Sequence, residues 1–147
     1  KAVPIGINRP NYSLGHDRFV RSNPGSPKDG PHKPEHYQML EYAKTYLGTR
    51  YVRGGNGYDG IDCSGFVGAV YRHMGIRLPR HSQDIGQVGF GEVVLDELQF
   101  GDVLVYPNPK HVAIYIGNYR TMETVTGGVG YSTIRRRDRA VVRRFLQ

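Results

Sequence analysis

The stretch that decides the fold is Gly54-Gly55-Asn56-Gly57-Tyr58-Asp59-Gly60-Ile61-Asp62-Cys63-Ser64-Gly65-Phe66. Its glycines predict a loop, and the apolar spacing that follows Cys63 predicts a helix ending at Gly75. The loop therefore delivers Cys63, the only cysteine of the chain, to the first turn of a helix. Free backbone N–H groups and the positive end of the helix dipole stabilise a thiolate there and could form an oxyanion hole. This placement predicts a nucleophile, whereas most lone cysteines are small buried hydrophobes.

Helical and strand periodicities follow one another around this stretch. Residues 34–48 have helical spacing, with Pro34 in the first turn and Gly48 as the stop, and a further turn of helix is expected over 82–87. After Leu98 the period changes to two. Five strands are predicted there: residues 102–106, 111–116, 121–125, 131–134 and 140–145. Helices followed by antiparallel strands predict an α+β domain.

The two ends of the chain differ in composition. Residues 1–33 are rich in Pro and Gly without any period, which predicts an extended N-terminal arm, and residues 34–147 form the predicted domain. Because the chain begins with Lys1 rather than Met, we interpret it as a processed or trimmed product, so its start says little about location. No apolar run approaches the roughly 18 residues that a bilayer span requires.

A formal net charge of +7 favours polyanionic partners, such as an anionic cell-wall surface, or simply a solvated basic surface. The basic residues cluster near the C-terminus: Arg135, Arg136, Arg137, Arg139, Arg143 and Arg144. Zinc-finger spacing, an aromatic RNA-binding motif and a long basic helix are all missing from the sequence, so nucleic acid is not an expected partner.

A thiolate nucleophile needs a base within hydrogen-bond reach, and six histidines are available. His111 opens the apolar strand that continues Val112-Ala113-Ile114, directly after a turn rich in Pro and Asn. A polar residue at the mouth of a buried strand can face a helix that packs on the sheet. His111 is therefore the predicted base, and His81, in a loop, is the alternative.

Four motifs in one order resemble the NlpC-type family of bacterial cell-wall cysteine peptidases. They are Asp62-Cys63-Ser64-Gly65-Phe66, Leu78-Pro79-Arg80-His81-Ser82, Leu98-Gln99-Phe100-Gly101-Asp102-Val103 and His111-Val112-Ala113-Ile114-Tyr115-Ile116-Gly117. The resemblance covers the chain from about Pro34 to its C-terminus. It implies a papain-like α+β fold, with N-terminal helices packed on a C-terminal antiparallel sheet. It also implies an extracytoplasmic thiol endopeptidase without metal or cofactor. Such an enzyme hydrolyses peptide bonds in the peptidoglycan stem peptide, commonly between D-glutamate and the diamino acid.

The third catalytic position of that family is usually a histidine, and here it is Glu123. A carboxylate can accept the imidazole Nδ1–H and stabilise the imidazolium. A hairpin centred on Gly117 would place Glu123 opposite His111, while a loop shifted by one residue would turn it to the other face. The alternative is an exposed strand glutamate, with His111 held by a backbone carbonyl or by Thr124.

The resemblance also implies substrate contacts on the acceptor side of the stem peptide. It assigns them to Tyr51, Asp62 and Ser64, with Arg80 and Ser82 nearby. Three of them have a structural alternative, because Asp62 and Ser64 are good helix N-cap residues and Tyr51 could pack in the core.

Two rival functions stay open at this point. The first is an amidase of the CHAP type, which uses Cys, His and a carboxylate and therefore suits Glu123. The second is a catalytically inactive wall-binding module, which the unusual third residue permits.

Overall fold

The computed structural model describes residues 29–89, 97–134 and 140–146. In that part of the chain, three helices precede the strands of the main sheet, which confirms the predicted α+β architecture. The elements are α1 Pro34–Lys44, β1 Asn56–Gly57, β2 Gly60–Ile61, α2 Cys63–His73, α3 Ser82–Ile85, β3 Val103–Pro107, β4 Lys110–Gly117, β5 Arg120–Val125, β6 Gly128–Thr133 and β7 Val141–Arg143.

The main sheet has the strand order β6-β5-β4-β3-β7, and all neighbouring strands are antiparallel. Its five strands fall where the period-two pattern predicts them, with ends displaced by no more than three residues. The small hairpin of β1 and β2 inside the glycine-rich loop was not predicted. Two residues per strand are too few to show an alternation, so no pattern announces this hairpin.

Helix α2 packs its apolar side against one face of the sheet. Phe66, Val67 and Val70 are fully buried in one core cluster with Val112 and Ile114 of β4. Burial of each such side chain stabilises the fold by roughly 1.5–3 kcal/mol. The helix ends before Gly75, whose φ of +84° suits the left-handed stop that was predicted there. The contact fixes the N-terminus of α2 against the sheet.

The opposite face of the sheet carries a second cluster, which includes Leu104, Tyr106, Tyr115 and Val142. Strand β3 is therefore buried on both faces, as its unbroken apolar run Val103-Leu104-Val105-Tyr106 suggests.

A buried ion pair lies just before β3. Asp102 receives two hydrogen bonds of 2.7 Å from Arg144, and both side chains are almost inaccessible to solvent. Arg144 is thus a structural residue and not part of a basic surface. Of the other C-terminal arginines, Arg143 donates to the Gly86 carbonyl at 2.7 Å. Residues 135–139 lie outside the described part.

The turn between β4 and β5 departs from the predicted hairpin. Asn118 and Tyr119 both have positive φ values, 56° and 64°, and occupy the two central positions of the turn. The pairing begins at Gly117↔Arg120 and continues at Tyr115↔Thr121, so Ile116 is an extra residue in β4. This β-bulge decides which way the side chains of β5 face.

The chain that enters α1 packs against this hairpin. Asp29 is buried and accepts hydrogen bonds from the Tyr115 hydroxyl at 3.0 Å and the Asn118 backbone N–H at 3.4 Å. Burial raises the pKa of Asp29, although the two hydrogen bonds oppose this shift. The predicted arm otherwise falls on residues 1–28, which lie outside the described residues.

Candidate active site

Cys63 is the first residue of α2 and is partly buried, with its side chain packed against the core cluster. The glycine-rich loop crosses close to this helical turn, because the Gly55 carbonyl accepts the Asp62 backbone N–H at 3.0 Å. A Cβ atom on Gly65 would collide with the same carbonyl, so only glycine fits at position 65. The glycine-rich loop therefore packs directly over the start of α2.

Asp62 caps the helix. Its Oδ1 accepts the Gly65 backbone N–H at 2.7 Å, and its Oδ2 accepts the Gly54 backbone N–H at 3.0 Å. The carboxylate therefore ties the loop and the helix together, one residue before Cys63. Burial raises the pKa of Asp62, but the hydrogen bonds from Arg80, Gly65 and Gly54 outweigh it and hold the pKa below its usual value.

Arg80 completes this cluster. Its guanidinium donates to both carboxylate oxygens of Asp62 at 3.0 and 3.1 Å, to the Ser64 hydroxyl at 2.8 Å and to the Gly55 carbonyl at 3.3 Å. Three of the predicted substrate-binding residues, Asp62, Ser64 and Arg80, are thus brought together beside Cys63. Their polar groups are engaged largely with one another, which gives them a structural role at the start of α2.

His111 lies in β4 and meets a buried carboxylate. Its Nε2 lies 2.6 Å from Glu123 Oε1, and the side chains of the two residues are 12% and 2% exposed. The contact is made through Nε2 and not through Nδ1, the atom predicted from the sequence. The interpretation of Glu123 as an exposed strand residue is wrong, and Thr124 does not hold the ring.

The environment of His111 favours its protonated form. Burial lowers the pKa of the imidazole, but hydrogen bonds to Cys63 and Glu123 and the negative charge of both groups raise it to about 9. A protonated ring donates one N–H to each neighbour, so Cys63, His111 and Glu123 form a continuous hydrogen-bonded series.

The bulge at Ile116 explains why Glu123 faces His111. In the β4–β5 pairing, Ile114 lies opposite Met122, so the next pair along the strands is Ala113 and Glu123. Ala113 is two residues from His111, and residues two apart on a strand share one face. Glu123 therefore lies on the same face of the sheet as His111. Without the extra residue, the register of Gly117↔Arg120 would turn Glu123 to the opposite face. Glu123 is therefore a diagonal neighbour of His111 and does not lie directly opposite it.

The remaining predicted residues are less closely grouped. Tyr51 forms a single bridge with Ile61, next to Asp62, and its side chain is 42% exposed, so it is not core packing. Ser82 is buried at the start of α3 and accepts a hydrogen bond from Gln83 at 3.2 Å. His81, the alternative base, is exposed at the N-cap of α3.

Two residues of the site were missed by the sequence analysis. The Thr121 hydroxyl donates to Glu123 Oε2, and Tyr106 stacks on His111 with ring centroids 6.0 Å apart. Thr121 could have been found, because residues two apart on a strand share one face. Tyr106 could not have been found from the sequence, since its position opposite His111 depends on how β3 pairs with β4.

Within residues 29–89, 97–134 and 140–146, no group of His, Cys, Asp or Glu side chains could hold a metal ion. None of the helices described there is long and apolar enough to cross a bilayer.

Comparison with known proteins places the chain in a family. A model described as the NlpC/P60 family matches residues 48–141. A probable endopeptidase of Mycobacterium tuberculosis is 39% identical over 92 residues, which are 62% of this chain and 24% of that protein. A gamma-D-glutamyl-L-lysine dipeptidyl-peptidase of Bacillus subtilis is 29% identical over 118 residues, 76% of this chain and 39% of that protein. The chain spans less than half the length of either relative.

The fold comparison agrees. A solved NlpC/P60 family protein from Bacillus cereus superimposes with a TM-score of 0.71 at 28% identity, over 83% of this chain and 43% of that one. The fold is thus the papain-like α+β arrangement, with the helices packed on a five-stranded antiparallel sheet. The chain belongs to the NlpC/P60 family, which confirms the resemblance seen in the sequence motifs.

Proposed function

We propose that this protein is a cysteine endopeptidase that hydrolyses peptide bonds in the stem peptide of bacterial peptidoglycan. The observation that carries the proposal is the hydrogen-bonded series from Cys63 through His111 to the buried Glu123. A thiol next to a base, with the base oriented by a third group, is the arrangement that nucleophilic catalysis requires. Family membership and the names of the relatives supply the substrate class.

The proposed reaction begins when the Cys63 thiolate attacks the scissile carbonyl carbon. Of the first N–H groups in α2, those of Gly65 and Phe66 are bonded to Asp62. Those of Cys63 and Ser64 have no acceptor among the described residues, and they are placed to stabilise the oxyanion. His111 then gives its proton to the leaving amine, which breaks the C–N bond and leaves a thioester on Cys63.

Hydrolysis of the thioester restores the enzyme. His111, now neutral, takes a proton from a water molecule whose oxygen attacks the thioester carbonyl. The C–S bond breaks, the carboxylic acid product leaves, and the imidazolium forms again next to the thiolate. Glu123 accepts the Nε2–H in both steps and stabilises the imidazolium through its charge. No step requires a metal or cofactor.

The proposed bond lies between D-glutamate and the diamino acid of the stem. The Bacillus subtilis relative is named for cleavage at a gamma-D-glutamyl-L-lysine bond, and this supports the choice. A contact on the acceptor side is proposed for the exposed ring of Tyr51, with Asp62, Ser64, Arg80 and Ser82 holding the surrounding loops. Such a substrate places the enzyme outside the cytoplasm, in the periplasm, the cell wall or secreted.

Digestion of purified peptidoglycan tests the proposal. Wild-type protein should release fragments cut inside the stem, which mass spectrometry identifies. Cys63→Ala should abolish release while the circular dichroism spectrum stays unchanged, because loss of one sulfur costs little packing. His111→Ala should lose nearly as much activity, since nucleophile and base act as a unit.

The matched control is His81→Ala, which should retain activity because His81 is exposed at the N-cap of α3. Full activity in a well-folded Cys63→Ala protein would contradict the thiol mechanism.

The carboxylate at position 123 favours one competing function, the CHAP-type amidase. Products cut between the sugar and the stem would show that activity instead. An inactive wall-binding module is the remaining rival, and it predicts that a thiol-reactive probe labels Cys63 no faster than an ordinary thiol.

A further inference from the structure

A pocket with three arginines in its lining lies along one side of α2 and begins at Ser64, the residue after Cys63. Its lining comes from Asn56, from Ser64, Gly65, Gly68 and Arg72 of α2, and from the segment Arg77-Leu78-Pro79-Arg80. A second, open depression of about 440 Å³ shares Arg72 and Arg77 with its lining.

Helix geometry sets the direction of this pocket. Ser64, Gly68 and Arg72 are spaced four residues apart and share one face of α2, and the eight helical steps from Ser64 to Arg72 span about 12 Å along the axis. The pocket thus runs along α2 from Ser64 to Arg72.

The charges along the pocket are unbalanced. The guanidinium of Arg80 is engaged by the carboxylate of Asp62 at 3.0 Å. Arg72 and Arg77 are exposed, and neither has a carboxylate partner in the part of the chain that the structure describes. No Asp or Glu is among the described residues that line either cavity. Two arginines that line the pocket therefore have no carboxylate counterion among residues 29–89, 97–134 and 140–146.

Gly68 keeps the floor of the pocket open. It lies in the middle of α2, where glycine is less favourable than alanine by about 1 kcal/mol. Its backbone has no positive φ, and a Cβ atom at this position would meet nothing within 4 Å. Neither packing nor backbone conformation requires glycine here, so its effect is the space that it leaves beside Ser64.

We propose that this arginine pocket binds a carboxylate of the peptide substrate, outside the scissile bond. The inference rests on the proposed function, which supplies the peptide. Planar guanidinium groups match carboxylates with two parallel hydrogen bonds. The apolar wall of Leu78 and Pro79 and the amide of Asn56 suit a peptide backbone more than a bare phosphate chain.

Paired stem-peptide analogues test the proposal, each pair differing by one carboxylate replaced with a carboxamide. Affinity is measured by calorimetry in Cys63→Ala protein, which separates binding from cleavage, and kcat/KM is measured in the otherwise wild-type protein. One carboxylate should improve binding about tenfold or more, as expected for a charge-assisted hydrogen bond. Arg72→Gln and Arg77→Gln should each lower the ratio of carboxylate affinity to carboxamide affinity towards one, without changing the affinity for the carboxamide analogue. Arg72→Lys should keep part of the preference for the carboxylate.

Arg53→Gln is the matched control, since it removes the same charge from an exposed arginine of the glycine-rich loop outside the pocket lining. The assignment would be overturned if wild type and both pocket variants preferred the carboxylate analogue equally. It would also be overturned if Arg53→Gln lost this preference as much as the pocket variants do. Arg72-dependent inhibition by soluble polyglycerol phosphate, without any carboxylate effect, would assign the pocket to a phosphate polymer instead. Binding with carboxylate preference but no cleavage would contradict the proposed function and leave this inference standing.

Discussion

Glu123 Oε1 lies 2.6 Å from the Nε2 of His111, and both side chains are largely withdrawn from solvent. The second carboxylate oxygen is engaged by the Thr121 hydroxyl from the same strand. Removing one partner from a buried pair leaves the other charge without compensation. Substitutions at Glu123 should therefore act on the ionisation of His111 as well as on its orientation.

Glu123→Gln keeps the size of the side chain and an acceptor for Nε2–H, but removes the charge. We expect kcat to fall about tenfold with little change in KM, since a hydrogen bond to a charged group contributes about 1.5–3 kcal/mol. Glu123→His should recover part of the activity with the residue usual in the family, and Glu123→Ala should be the least active. Steady-state kinetics on a soluble stem peptide measures the series, with melting temperatures as the control for folding. A kcat near that of wild type in Glu123→Ala would show that another group orients His111.

The ionisation of His111 gives a second prediction. Its pKa of about 9 depends on hydrogen bonds and charge from both Cys63 and Glu123. Glu123→Gln and Cys63→Ala should each lower the pKa, because each removes an anionic neighbour of the imidazolium. The protonated ring is the active form at the leaving-group step, so the alkaline limb of the pH–rate profile should move to lower pH in Glu123→Gln. NMR titration of the imidazole measures the shift, and an unmoved pKa in both variants would contradict it.

The cap at Asp62 can be separated from its charge. Asp62→Asn keeps a good N-cap acceptor for the Gly65 N–H and loses the ion pair with Arg80 together with the acceptor for the Gly54 N–H. Asp62→Ala loses the cap too and should cost about 1 kcal/mol more. Because the pKa of Asp62 is lowered by folding, the advantage of wild type over Asp62→Asn should be present above its unfolded value of 3.8. This advantage should disappear as the pH falls through the lower pKa that Asp62 has in the folded protein. Urea unfolding at several pH values measures both effects; equal stability of the two variants would mean that the cap contributes nothing.

Salt should separate wall association from chemistry. The net charge of +7 attracts an anionic wall, and attraction between exposed charges is screened over about 10 Å at 0.1 M salt. Binding to intact sacculi should weaken as salt rises, while turnover of a small stem peptide that lacks carboxylates outside the scissile region should change little. Cosedimentation and peptide kinetics over the same salt range provide the comparison. If rising salt weakened binding to sacculi and peptide turnover equally, wall association and chemistry would not be separable by salt.

Local patterns in the sequence were sufficient for the elements and for two members of the site. The glycine-rich loop and the apolar spacing after Cys63 predict its position at the start of a helix, and the structure has α2 beginning there. The strand opened by His111 is likewise visible as an apolar run after a turn. These predictions succeed because helix and strand periods are properties of neighbouring residues.

What only the tertiary structure decided is how these elements face one another. Whether Glu123 reaches His111 depends on one extra residue, Ile116, because a shift of one position turns every side chain of a strand to the other face. The engagement of Asp62 by Arg80, eighteen residues away, likewise depends on how the segment after α2 folds back over the glycine-rich loop. Sequence spacing carries no information on such registers and crossings, since they are set by packing between elements that are distant in the chain.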